Sequence, residues 1–171
     1  MAKWTVELEA TKGEAARAAA DIVAYWAADE AGRAKTPLYV LLLGFRLSNT
    51  AKIIKRVEEG FGFQALERFQ RNTQIPTNDL AEVVDIKVRT LRRRKEEGRL
   101  EPDESDRLLR LSRVFAQALE LFEGDAVAAR RWFYTPAKAL GGEKPIALAR
   151  TELGTREVEA LIDRLEQGVL T

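Results

Sequence analysis

The sequence lacks both cysteine and histidine in all of its 171 residues. The absence of cysteine excludes disulfides and thiolate catalysis, and the absence of histidine excludes imidazole acid–base chemistry and nearly all zinc sites. Carboxylates alone could still serve an enzyme or a metal, but Asp103, Glu104 and Asp106 have the distribution of first-turn helix charges. We therefore expect no enzymatic activity, no metal site and no cofactor.

Long hydrophobic runs are also missing. The longest apolar stretch, Leu38 to Leu43, has six residues, far below the roughly 20 that a membrane-spanning helix needs. The N-terminal residues Met1–Trp4 have no apolar core of the kind found in a signal peptide. Together with the absence of cysteine, these features lead us to expect a cytoplasmic protein that makes no contact with a membrane.

The charge is segregated along the chain, although the net charge is only +1. Residues 87–99 contain seven basic and two acidic residues, a net charge of +5, whereas residues 100–171 contain ten basic and thirteen acidic residues, a net charge of −3. The overall composition, 46% hydrophobic and 32% charged, is typical of a globular domain. The basic segment therefore indicates a polyanionic partner.

The spacing of apolar residues predicts an all-α fold. Helices are predicted over 12–31, from 48–50 to Gly60, and over 61–72, 102–122 and 126–134. The run 37–43 could be a short strand or a buried turn of helix, and its length does not decide between them. In the final helix, Thr155 is the predicted N-cap, and the predicted buried stripe consists of Val158, Leu161, Ile162 and Leu165.

The window Thr77–Glu97 has the pattern of a helix-turn-helix. The first short helix is predicted to bury Leu80, Ala81 and Val84, and the second to bury Val88 and Leu91. Ile86 is expected to fill the corner between the helices. The turn requires a residue with positive φ, and Asp85 enters that region more easily than most residues.

The second of these helices is predicted to present a basic face to DNA. Its outward side is expected to carry Arg89, Thr90, Arg93 and Arg94, with Lys87 at its start. Phosphate contacts are expected from Arg92, Lys95 and Arg99. A helix fits the major groove, where arginine binds guanine bidentately. The alternative is a merely solvated basic face, but the coincidence with an independently patterned motif favours double-stranded operator DNA, read by a homodimer.

Most of the chain resembles a known family. The resemblance rests on motifs that begin with Arg89–Leu100 and continue through Ser105–Leu111, Ala129–Phe133, Pro136, Ala139–Gly142, Pro145, Thr151–Gly154, Val158 and Glu166–Val169. In their order and spacing, these motifs resemble the Xre-type antitoxins of RES–Xre toxin–antitoxin pairs, a group related to the ParS and MbcA antitoxins. The resemblance covers roughly residue 38 to the C-terminus.

This resemblance implies a function. Such antitoxins repress their own operon and use a C-terminal domain to block the active-site cleft of a NAD-depleting RES toxin. The resemblance implies a helix-turn-helix DNA-binding domain over 38–101 and a small helical toxin-binding domain over 102–171. Residues 1–37 lie outside the resemblance, and their alanine-rich composition alone predicts an N-terminal helical extension. The implied assembly is a homodimer within a toxin–antitoxin hetero-oligomer.

The outer face and tail of the last helix are the predicted toxin-binding site. The residues are Arg156, Glu159, Asp163, Glu166 and Gln167, followed by Gly168, Val169 and Leu170. This acidic terminus is expected to oppose a positively charged nucleotide-binding cleft. Two alternatives remain: the last helix could serve only the core, and the whole chain could be a stand-alone helix-turn-helix repressor whose C-terminal half only dimerises.

Overall fold

The computed structural model describes residues 22, 24–25, 36–46 and 49–168. Within these ranges the regular secondary structure is helical, and one isolated antiparallel bridge joins Gly62 and Arg99. The predicted all-α class is therefore confirmed. Most of the predicted helix over 12–31 lies outside the described residues. Val169 and Leu170, which were predicted to bind the toxin, also lie outside them.

From residue 36 onward, nine α-helices and one 3-10 helix follow one another in the described part of the chain. They are α1 (Leu38–Leu42), α2 (Thr50–Glu59), α3 (Phe63–Thr73), α4 (Thr77–Val83), α5 (Val88–Glu97), α6 (Pro102–Leu121), α7 (Ala126–Phe133), the 3-10 helix η1 (Lys138–Leu140), α8 (Pro145–Leu148) and α9 (Glu152–Glu166). The run 37–43, left open between strand and helix, thus contains the short helix α1. In the described part of the chain, no helix is both long and apolar enough to cross a membrane.

Local capping explains why α2 lies where the sequence predicts it. The Asn49 side-chain oxygen accepts a hydrogen bond from the Ala51 backbone N–H at 2.8 Å and begins the helix. Gly60 ends it with φ +80°, and a Cβ at Gly60 would lie 2.3 Å from the Leu100 carbonyl oxygen. Only glycine meets both requirements, so the chain can turn there and pass close to the segment before α6.

Helix α6 is the central element. It begins with Pro102 in its first turn, and the Glu101 and Glu104 side chains form a reciprocal capping box. Helices α1, α2, α7 and α9 all pack against it. The Phe115 ring lies 6.1 Å from that of Phe69 and 5.2 Å from that of Phe133, measured between centroids. One hydrophobic core therefore runs through α6 from the first half of the chain into the second.

The start of the last helix differs from the prediction. Helix α9 begins at Glu152, and its N-cap is Thr151, whose hydroxyl accepts from the Gly154 N–H at 3.0 Å. The predicted cap, Thr155, is buried and donates to the Thr151 carbonyl at 2.7 Å. The predicted stripe is otherwise present: Val158 and the buried pair Leu161 and Ile162 face the core, and Leu165 is partly buried.

Candidate nucleic-acid interface

Two helices joined by a tight turn form the predicted helix-turn-helix. Helix α4 ends at Val83, α5 begins at Val88, and Asp85 in the turn has φ +54°. The Ile86 N–H donates to the Ala81 carbonyl at 2.8 Å. The predicted inward residues Leu80, Ala81, Val84, Ile86 and Leu91 are all buried. The sequence therefore predicted the turn residue and most of the packing between the two helices correctly.

Contacts with the second half of the chain hold α4 in place. The Arg107 Nε on α6 donates to the Val84 carbonyl at 2.7 Å, which supports the C-terminal end of α4. The Arg150 Nη1 lies 2.9 Å from the Glu82 Oε1. The Tyr134 hydroxyl donates to the Asp79 carboxylate. Burial raises the pKa of Tyr134 above its ordinary value, and the hydrogen bond to Asp79 raises it further.

The outward face of α5 is strongly basic. Lys87, Arg89, Arg92 and Arg93 are exposed. Arg92 pairs with Glu96 at 3.3 Å and Arg93 with Glu97 at 3.6 Å, both one helical turn away. Such solvent-exposed pairs contribute little, about 0–1 kcal/mol, so phosphates could replace the carboxylates. Lys87 and Arg89 make no ion pair with any residue that the structure describes.

The expected outward position of Arg94 is wrong. The side chain is 10% exposed and lies against the start of α6. Arg94 Nε lies 2.9 Å from Glu104 Oε2, and Arg94 Nη1 lies 3.0 Å from Glu97 Oε2 and from Glu101 Oε1. Burial lowers the pKa of Arg94, but the hydrogen bonds with Glu97 and Glu104, together with the negative charges of Glu104 and Glu101, outweigh it and raise the pKa above its ordinary value. Arg94 is therefore a structural cation that is not positioned to contact DNA.

The expected inward position of Val88 is also wrong, since 64% of its surface is exposed. Leu91 and Arg94 are the residues of α5 that face the core, so the inward direction lies midway between them. At 3.6 residues per turn, Val88 is about 90° away from that direction. The prediction was wrong because it took Val88 and Leu91 as the inward side of α5 and placed Arg94 on the outward side.

Three further predicted DNA-binding residues lie at the edges of this face. Thr90 is half-buried, and Arg99 is exposed just beyond the C-terminal end of α5. The Lys95 ammonium lies 2.9 Å from the Glu67 Oε1 and 6.0 Å from the centre of the Phe63 ring. Lys95 is still well exposed, but these contacts direct it toward α3. DNA binding stays a prediction for all three residues.

Most of the residues that were predicted to bind the toxin are exposed on the C-terminal surface. These are Arg156, Asp163, Glu166, Gln167 and Gly168. Arg156 donates to Glu152 at 3.0 Å, and this hydrogen bond, with a smaller effect from Arg110, lowers the pKa of the Glu152 carboxyl. Glu159 departs from the prediction: it accepts from Arg113 Nε at 2.8 Å and its side chain is only 20% exposed. Glu159 therefore faces α6 instead of the outer surface.

Two exposed apolar side chains in the second half of the chain were not singled out from the sequence. Leu153 and Val127 have 73% and 62% of their surfaces exposed. Once α9 is known to begin at Glu152, the helical period places Leu153 opposite the buried stripe through Val158. The misplaced N-cap at Thr155 concealed this signal.

Comparisons with known proteins identify relatives of both halves. Residues 52–113 match the family described as Antitoxin Xre-like helix-turn-helix domain, and residues 117–168 match Antitoxin Xre/MbcA/ParS C-terminal toxin-binding domain. A Yersinia enterocolitica protein named Antitoxin Xre is 36% identical over 130 residues, which cover 75% of this chain and 88% of that protein. A protein of the same name from Photorhabdus laumondii is 30% identical over 130 residues, which again cover 75% of this chain and 88% of that protein. The short gap between the two matched ranges, residues 114–116, lies inside α6.

Proposed function

The chain belongs to the Xre antitoxin family and combines a helix-turn-helix with a toxin-binding domain, and from that premise we propose a complete role for it. It is the antitoxin of a type II toxin–antitoxin pair, and it neutralises a RES-type toxin that depletes NAD. It does so by blocking the active site of that toxin. It also represses its own operon by binding double-stranded DNA through the helix-turn-helix.

The exposed basic face of α5 is the observation that supports operator binding. Arg89 and Arg93 are placed on the outward side of a helix whose other side is anchored by Leu91. Arginine on such a face can bind a guanine edge with two hydrogen bonds, and Arg92 can bind the adjacent phosphates. A single module of this kind binds weakly, so we propose that a homodimer reads two half-sites within the toxin–antitoxin assembly.

The acidic end of α9 supports toxin binding at the C-terminus. Asp163 and Glu166 are exposed there, and the Glu152–Arg156 pair occupies the opposite end of the same helix. A toxin cleft that binds a nucleotide phosphate is positively charged, and complementary charge directs association and register. We propose that Glu166 and the tail Gly168–Leu170 enter that cleft.

Two variants with opposite defects test these roles when the neighbouring open reading frame is co-expressed. Replacing Arg89 and Arg93 with alanine removes the base-reading cations and is expected to abolish operator binding in a gel shift while growth rescue and cellular NAD are retained. Deleting Gly168–Thr171 is expected to weaken growth rescue and lower NAD while operator binding is retained. The matched control replaces Lys138 and Lys144 with alanine. Both lysines are exposed and lie outside the helix-turn-helix, so this variant loses the same charge as the double arginine variant.

Several outcomes would contradict the proposal. Loss of both functions in either variant would mean that the two surfaces are not separable. Unchanged neutralisation after the deletion would exclude the tail from the toxin cleft. A neighbouring product that neither co-purifies nor inhibits growth, together with full operator affinity of the chain alone, would favour a stand-alone repressor whose C-terminal half only dimerises.

A further inference from the structure

We propose that Val88 reads the 5-methyl group of a thymine in the major groove, and that it therefore helps to determine which operator the protein binds. This inference rests on the proposed operator binding. Val88 is the first residue of α5, it is 64% exposed, and it lies between the exposed cations Lys87 and Arg89. The N-terminal residues of a recognition helix are the ones that approach base edges.

Folding gives no reason for a valine at this position. Its side chain lies outside the packed side of α5, which consists of Leu91 and Arg94. A β-branched residue at an exposed helical position also has a lower helix propensity than alanine or a long polar residue. Single exposed apolar residues are common on protein surfaces, and Val127 is one in this chain. Position therefore carries the inference: Val88 lies where a groove-binding helix meets the bases.

The chemistry of valine narrows what it can recognise. Its side chain neither donates nor accepts hydrogen bonds, so it cannot distinguish bases by their polar edges. Among the four base pairs, only those with thymine expose a methyl group in the major groove. Lys87 and Arg89 on either side can supply the polar contacts to phosphate and guanine. Val88 would thus add an apolar contact to a face that is otherwise dominated by charge.

The first experiment identifies a DNA probe. The full chain and the variants V88A, V88N and V127A each select from a library of duplexes with a randomised central region. The native chain is expected to enrich a sequence with a thymine at one position of each half-site. V88A should lose preference at that position alone, and V88N should shift it toward adenine, which asparagine binds bidentately. V127A, a valine in the first turn of another helix with 62% exposure, should select the native sequence.

The second experiment removes only the methyl group. In the selected duplex, each candidate thymine is replaced by deoxyuridine, and binding is measured by fluorescence anisotropy. The native chain is expected to bind about fourfold more weakly per substituted half-site, the effect of one lost methyl contact. V88A should bind both duplexes equally. For the native chain, the duplex is altered and not the protein, so the loss of affinity on removing the methyl group does not depend on how well a variant folds.

The outcomes separate this inference from the proposed function. If the native chain enriches no sequence, operator binding itself fails and the inference falls with it. If a sequence is enriched but no deoxyuridine substitution weakens binding, the operator proposal stands and the role of Val88 is wrong. Equal weakening of the native chain and V88A would assign the methyl contact to another residue and would also overturn the inference.

Discussion

At the scale of single residues, Arg94 shows how one basic residue differs from its basic neighbours. Arg92 and Arg93 precede it and are exposed, whereas Arg94 is held against Glu104, Glu97 and Glu101. The Glu104 carboxylate also accepts from the Glu101 N–H at 2.8 Å and so caps α6. Arg94 therefore ties the end of the basic helix to the start of the central one.

Removing only the cation from this cluster should be costly. We expect R94M to lower the free energy of unfolding by about 3 kcal/mol, because Glu104 would then be buried without its partner. The double variant R94M/E104Q should regain most of this loss, because glutamine removes the charge and still accepts from the Glu101 N–H. Urea unfolding of the two variants measures both effects, and equal destabilisation would show that the pair, and not the isolated charge, matters.

The sequence could predict the buried residues of the helix-turn-helix but not the role of Arg94. Ala81 and Ile86 follow a local pattern that is sufficient to place them in the corner between two helices. Arg94 belongs to a run of similar cations, and its partner Glu104 lies on another helix. Only the packing of α5 on α6 distinguishes it. The same packing sets the phase of α5 that exposes Val88.

At the scale of elements, helix ends with local signals were predictable and an end determined by packing was not. The side-chain cap of Asn49 and the positive φ of Gly60 delimit α2 through local signals, so both positions could be read directly from the sequence. The start of α9 depends on its approach to α8. A Cβ at Gly154 would lie 2.1 Å from the Leu148 carbonyl oxygen. The helix can begin at Glu152 because the third residue of its first turn has no side chain.

This close approach predicts an unusual response to alanine at a helical position. Glycine to alanine within a helix normally stabilises by about 1 kcal/mol. G154A should instead destabilise by about 1–3 kcal/mol, because the new methyl group overlaps backbone that would have to move. Thermal unfolding measures the difference, and L153A at the neighbouring exposed position serves as the control with little expected change. Any gain in stability from G154A would contradict the close packing of α8 against α9.

At the scale of the whole molecule, the two predicted domains share more than a covalent connection. The aromatic rings of Phe69, Phe115 and Phe133 form a continuous series from α3 through α6 to α7. Polar contacts add to it, since Tyr134 and Arg150 bind the Asp79 and Glu82 carboxylates of α4. The predicted boundary after residue 101 lies beside the change in net charge at residue 100 and directly before Pro102. Charge patterning could not show that the core continues across it.

The Tyr134–Asp79 hydrogen bond should make this connection sensitive to alkaline pH. Because the pKa of Tyr134 is raised in the folded chain, its contribution is fully present below its ordinary value of 10.0 and is lost as the pH rises above it. Replacing Tyr134 with phenylalanine should lower the free energy of unfolding by about 1 kcal/mol at pH 8. At pH 11 the difference should shrink by roughly 0.5–1 kcal/mol, a value reduced for solvent screening of a half-buried group.

Comparing native chain and variant at each pH isolates this hydroxyl, because the other titrating groups are the same in both proteins. The variant D79N extends the comparison, since it removes the carboxylate charge while leaving an oxygen that can accept the hydrogen bond. In that background, Y134F should cost less at pH 8 and its cost should change less between pH 8 and pH 11. A cost of Y134F that is equal at both pH values would mean that this hydrogen bond does not join the two halves in solution. The orientation of α4 would then depend on Arg107, Arg150 and the shared core.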